Sequence, residues 1–253
     1  MVTVSRDKKK SRIIPKITYH KLDWLEYTSI GFGIWFIIYP HPYVLLFIIN
    51  LIIPLMGLLL NGLYGRPSIA SLVEIDPTEK WEYDVADFIV FPSLVLAYRV
   101  IYDFEFEDFY TLIIPGFITF ILVFGLLVFT HSFEMNKVKN RFFVVSLVAG
   151  NLFLYSYSAT YGINCVFDYS EPDKYKVKVL DKWIEETRGR KGRRYTHYYF
   201  RITPWGHHHD TEKIEVSSTQ YKKIKPGNRV TMELNKGLLG IPWYRMKEYH
   251  VLE

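Results

Sequence analysis

Three groups of residues have the types that chemistry would need. His207-His208-His209-Asp210 sets three imidazoles beside a carboxylate, a donor set suited to zinc, nickel or copper. Consecutive side chains of an extended strand alternate faces, so only His207 and His209 could meet one ion, with a third ligand such as His197 supplied from elsewhere. Structural zinc sites usually carry cysteines or spaced histidines, which this run lacks. It therefore reads first as a solvated loop, and second as the metal site of a membrane-anchored enzyme using His207 and His209.

The second group is basic: Arg188, Arg190, Lys191, Arg193 and Arg194 put five positive charges into seven residues. Their mutual repulsion favours an exposed tip, which reads first as a charge-protected strand edge and second as a contact for an acidic partner or an anionic surface. The third group is Asp87 and Arg99, charges inside an otherwise apolar stretch. Such charges mark ion or substrate pathways when they lie deep in a membrane, but here they fall near opposite ends of their segment and are expected to snorkel to the interfaces. Glu26 likewise lies near a segment end. No nucleophile elbow, paired His-Glu zinc helix or phosphate-binding glycine loop occurs, and no cofactor is implied. Enzymatic activity thus has no residue to rest on beyond the histidine run.

The elements that must position these residues divide by composition. Apolar runs fill the first two thirds of the 253 residues, and charge gathers at the N-terminus and after about residue 170. Spans are expected at Trp24 to Tyr39, Tyr43 to Leu60, Val85 to Tyr102, Phe109 to Thr130 and Phe142 to Tyr161, since a bilayer core takes roughly 20 apolar residues. Pro40-His41-Pro42 marks the turn of a helical hairpin formed by the first two. Asn50, Asn61, Asn151, Ser146, Ser156 and Ser158 are expected to hydrogen-bond between helices. No cleavable leader is expected, because the first 22 residues are charged and lack a continuous apolar core.

Counting lysines and arginines selects the topology. With the arm Arg6 to Lys21 cytoplasmic and five spans, the loop with Lys137, Lys139 and Arg141 is also inside, and the acidic loop Asp103 to Asp108 is outside. The expected organisation is a basic cytoplasmic arm (1–23), a helical membrane domain (24–165), a linker (166–173) and a small antiparallel β barrel or sandwich (174–253), which lies outside the cytoplasm. The single cysteine, Cys165, reads as an inert buried thiol.

Period-two alternation places strands at 176–184, 195–203, 213–217 and 229–235, with turns at Gly189-Arg190-Lys191-Gly192 and Lys225-Pro226-Gly227-Asn228. Residues 171–253 hold 18 Lys plus Arg against 11 Asp plus Glu, an excess of seven positive charges. Tyr221, Pro226-Gly227 and the Val230 strand resemble the small β domains of uncharacterised bacterial membrane proteins, of the domain-of-unknown-function class. That resemblance implies a bacterial membrane setting and carries over no functional residue.

Together these features point to a non-enzymatic binding, scaffold or accessory protein, of which an immunity-type subunit is one form, presenting its basic module outside the cytoplasm. The implied partners are the lipid bilayer and another envelope protein or an anionic envelope surface. Nucleic acid is disfavoured on that side of the membrane, and a homo-oligomer is compatible with the sequence. A small transporter or channel subunit is the main alternative.

Overall fold

The computed structural model describes residues 22–63, 65–75, 83–134, 141–188, 194–206, 208–244 and 250–251. The basic arm, Lys137, Lys139, Arg190, Lys191, Arg193 and His207 lie outside those residues.

The five apolar segments all form helices: α1 (Asp23–Ile38), α2 (Tyr43–Leu63), α3 (Asp87–Asp103), α4 (Tyr110–Thr130) and α5 (Arg141–Val166). Three of them, α2, α4 and α5, are long and apolar enough to cross a membrane by length and composition. The sequence count of five spans is not supported on those criteria. With 16 and 17 residues, α1 and α3 reach only about 24–26 Å at 1.5 Å per residue, short of a hydrocarbon core of about 30 Å.

Packing explains how α3 can carry charged residues in an otherwise apolar helix. It lies against α1, α2 and α5, burying Phe88, Ile89, Pro92, Ser93, Val95, Leu96, Arg99 and Val100. A helix enclosed by helices has polar partners within reach that lipid cannot provide. The Ser29 hydroxyl of α1, for instance, donates to the Asp87 carbonyl of α3 at 3.1 Å.

Arg99 corrects the expectation of snorkelling. Its residue is only 6% exposed, and its guanidinium pairs with Asp103 at 2.5 Å. The rings of Phe36, Tyr43 and Tyr102 lie 5.4–5.8 Å away. The carboxylate one turn further along the same helix face supplies what the interface would otherwise have supplied. Asp87 stands in the first turn of α3, where the helix dipole favours an anion.

Side-chain contacts define two ends of the helical domain. At one, the Tyr43 hydroxyl donates to Asp103 at 2.9 Å and that of Tyr161 to the Glu105 carbonyl at 3.0 Å. At the other, the Ile69 N–H donates to the Ser132 carbonyl at 2.9 Å. There the wholly buried His131 contacts the Asn61 amide at 3.0 Å and the Thr130 hydroxyl at 2.8 Å. Asn50 and Asn151 bond to carbonyls four residues back in their own helices, as do Ser156 and Ser93.

Burial holds the His131 imidazole down to about 4, so it is neutral when folded, whereas an unfolded histidine titrates near 6.5. Stability from this group is complete above about pH 6.5 and is lost as pH falls toward 4, by up to about 3 kcal/mol. Unfolding of the solubilised protein from pH 8 to 4 is expected to show this loss, and His131→Gln to flatten it. A wild-type midpoint unchanged across that range would refute it.

The C-terminal part is a curled antiparallel sheet, a half-barrel rather than the closed barrel or sandwich expected. Its strands are β4 (Asp173–Arg188), β5 (Arg194–Ile202), β6 (Glu212–Val216), β7 (Arg229–Asn235), β8 (Trp243–Tyr244) and β9 (His250–Val251), with a short helix α6 (Ser218–Lys223) after β6. A further strand, β3 (Glu105–Phe106), comes from the α3–α4 connection, and the order is β3-β8-β7-β4-β5-β6 with β9 also on β7. A separate small hairpin, β1 (Val73–Ile75) with β2 (Tyr83–Val85), precedes α3.

The curl comes from β4. Its residues Asp173 to Lys178 pair with β7, and those from Val179 onward pair with β5, the register shifting between Val179 and Asp181. A bulge of this kind bends a strand and sharpens its twist. The inner face packs Val177, Val179, Phe200, Ile202, Ile214, Val216, Val230 and Met232, the alternation that a one-sided core requires. Ser217 and Gln220 form a capping box that starts α6. The Lys182 ammonium donates to the Tyr221 and Ile224 carbonyls at 2.8 and 3.0 Å, closing the other end of α6 with the charge its dipole favours.

Candidate binding surface

The predicted basic hairpin is the tip of a ribbon that outruns its sheet. β6 pairs with β5 only from Tyr198 to Ile202, and β7 pairs with β4 only up to Lys178. From Glu185 to Arg188, and from Arg194 to His197, β4 and β5 pair only with each other among the described residues. Tyr195 is 52% exposed on this ribbon, and Ile184 at its base is 49% exposed. Arg188 stands opposite Arg194 at its last described pair, and Arg194 approaches Glu186 at 3.8 Å. Thus Arg188 and Arg194 are brought together, while Arg190, Lys191 and Arg193 lie outside the described residues.

The outward face of the same strands carries residues the sequence reading passed over. Trp183 and Tyr199, direct cross-strand partners, stack at 5.7 Å with their planes 30° apart. The Lys213 ammonium lies 3.8 Å from the Tyr199 ring centre, and the Arg201 guanidinium lies 5.5 Å from that of Trp183. Glu185 accepts from the Trp183 indole N–H at 2.9 Å and from Lys213 at 2.8 Å. Those two donors hold its carboxyl below the usual range. The outward positions of the strands at 176–184, 195–203 and 213–217 could have announced this face, because period two puts Tyr199, Arg201 and Lys213 opposite the core.

Of the three consecutive histidines, two lie among the described residues. His209 is exposed and His207 is outside the described residues. His197 contacts Glu215 at 2.7 Å and Thr187 at 3.2 Å on the outer sheet face. It is His208 that turns inward, stacking on Trp205 at 5.1 Å with its Nε2 3.1 Å from Glu107 Oε1. No hydrogen bond is formed at that nitrogen. Among the described residues no three His, Cys, Asp or Glu side chains converge to hold a metal.

The surface is mounted firmly on the helices. Asn164, wholly buried near the end of α5, accepts from the Leu239 N–H at 2.9 Å and the Ile241 N–H at 3.4 Å, and donates to the Ile241 carbonyl at 2.8 Å. Asp168 accepts from the Gly237 N–H at 2.8 Å and the Trp243 indole N–H at 2.9 Å. Burial alone would raise the Asp168 carboxyl, but these donors and Ser170 together hold it below the usual range. Gly237 has φ +77°, and a side chain there would run into Asn164 and the Ile241 carbonyl. Cys165, beside this latch, is buried. Glu105 extends the join: burial and then the nearby Glu212 and Glu215 raise its carboxyl.

The groups brought together are therefore a cation-flanked aromatic face and a basic ribbon, which can bind by stacking, ion pairing and hydrogen bonding. No family model, no curated protein and no solved structure matches the chain.

Proposed function

We propose that this is a multi-span membrane protein of a bacterial cytoplasmic membrane that presents its basic β module outside the cytoplasm to an acidic partner. The partner is another envelope protein or an anionic envelope surface, and the role is binding, scaffolding or accessory rather than catalysis. The observation that carries this is the ribbon of β4 and β5. A two-stranded ribbon is at best marginal by itself in water, yet this one extends past its core with Ile184 and Tyr195 exposed and arginines at its last pair. Apolar and basic groups held out in this way suit a partner that supplies both contact area and negative charge.

In this proposal all five helices cross, α1 and α3 with local thinning of the bilayer or sheltered by their neighbours. An odd number of crossings from a cytoplasmic arm puts the module outside, together with the acidic α3–α4 connection that lends it β3. A transporter would need a charge placed to meet cargo. Arg99 is instead paired with Asp103 and surrounded by rings, which favours a structural ion pair.

Paired C-terminal reporters, one active only in the cytoplasm and one only outside, are expected to give an outside signal. A photocrosslinker at Tyr195 is then expected to capture an acidic envelope component, with capture lost when Arg188 and Arg194 are both changed to Glu. A cytoplasmic signal, or capture indifferent to that charge reversal, would refute the proposal.

A further inference from the structure

We infer that the outer face of β4, β5 and β6 binds an acid-bearing oligosaccharide chain, which names the ligand class for the module proposed above and rests on that proposal. Cross-strand register sets two rows side by side. One is Trp183, Tyr199 and Glu215, and the other pairs Glu185 with His197. Arg201 opposite Lys213 closes the end nearest the core.

Within this face each polar group already leans on a neighbour: Glu185 on Lys213 and the Trp183 indole, His197 on Glu215 and Thr187. Exposed pairs of this kind add little to stability, so fold maintenance does not account for assembling them around two stacked aromatic rings. What they do is hold the rings flat and ring them with both donors and acceptors.

That mixture selects among polymers. A nucleic acid strand or an acidic peptide would set its anions against Glu185 and Glu215, a like-charge clash that costs affinity. A sugar ring instead offers an apolar C–H face to the aromatic rings. Its hydroxyls both donate and accept, so they can satisfy Glu185 and Glu215 as acceptors together with Lys213, Arg201 and His197 as donors. Acid groups further along the same chain would meet Arg201 and Lys213, the cations of this same face. Charge complementarity with Arg201 and Lys213 and hydrogen-bond complementarity with the rest of the mixed face thus converge on one ligand.

The test uses the full-length protein in detergent micelles and follows binding by calorimetry and tryptophan fluorescence. The probes are oligogalacturonate, a cello-oligosaccharide of the same length, a single-stranded oligodeoxynucleotide and poly-glutamate. Oligogalacturonate is expected to bind best, with at least tenfold weaker binding in Trp183→Ala and in Tyr199→Ala. Both side chains are on the outer face, and unchanged unfolding of the variants would verify their fold. Arg201→Gln with Lys213→Gln, which spares the rings, is expected to weaken binding as well.

Equal binding of the neutral cello-oligosaccharide would overturn the requirement for acid groups. Tighter binding of the oligonucleotide or poly-glutamate, insensitive to Trp183→Ala, would overturn the sugar and leave a simple polyanion contact at the tip. Absence of binding to every probe overturns the inference, while an outside reporter signal and a charge-dependent crosslink would leave the broader proposal standing. A cytoplasmic reporter signal overturns the broader proposal whether or not this face binds sugar.

Discussion

Changing Asn164 to leucine is expected to loosen the β module from the helices and to cost about 3–6 kcal/mol. Leucine keeps nearly the same shape but can pair with none of the Leu239 N–H, Ile241 N–H or Ile241 C=O groups that Asn164 now satisfies. Each buried backbone group left without a partner costs roughly 1–3 kcal/mol. The loss should be read as a lowered unfolding midpoint of the solubilised full-length protein and as new protease cleavage between residues 236 and 242. Asp168→Ala removes the contacts to Gly237 and Trp243 in a less enclosed setting, so its effect should run the same way and be smaller. Unchanged unfolding and cleavage in the leucine variant would mean that the loop is held by its apolar contacts alone.

Asp103→Ala is expected to destabilise the helical domain by about 3–5 kcal/mol, because it strands the Arg99 guanidinium, whose side chain is only 7% exposed. The aromatic rings around it cannot replace a carboxylate, although they can pack against an apolar side chain equally well. Arg99→Met combined with Asp103→Leu should therefore recover most of the loss, giving a strongly non-additive double-mutant cycle in detergent unfolding. Additive losses would show that the two charges do not depend on each other. The Tyr43 hydroxyl, which also donates to Asp103, should be worth less: Tyr43→Phe is expected to cost about 1–2 kcal/mol.

Much of the architecture was legible because it rests on local pattern. The hydrophobic runs marked all five helices, and Pro40-His41-Pro42 marked the break between α1 and α2. Alternation located β4, β5, β6 and β7. The contribution of β3 was not legible. Two residues of a short acidic connection have no periodicity to read, and they become a strand only because β8 is brought beside them. The same holds for Asn164, which looked like one more polar residue of an apolar helix until the loop from Gly237 to Ile241 was folded against it.

Composition and periodicity by themselves determined that the chain has an apolar helical part and a basic β part, and that strands flank the basic run on either side. These follow from the spacing of neighbours along the chain, which fixes which faces are apolar. The tertiary structure decided which charges are neutralised, with Arg99 taking Asp103, and which histidine turns inward, with His208 facing Glu107. It also decided that Trp183, Tyr199 and Lys213 share one face and that the sheet curls without closing. Those outcomes depend on contacts between residues distant in sequence, whose partners exist only once the chain has folded around them.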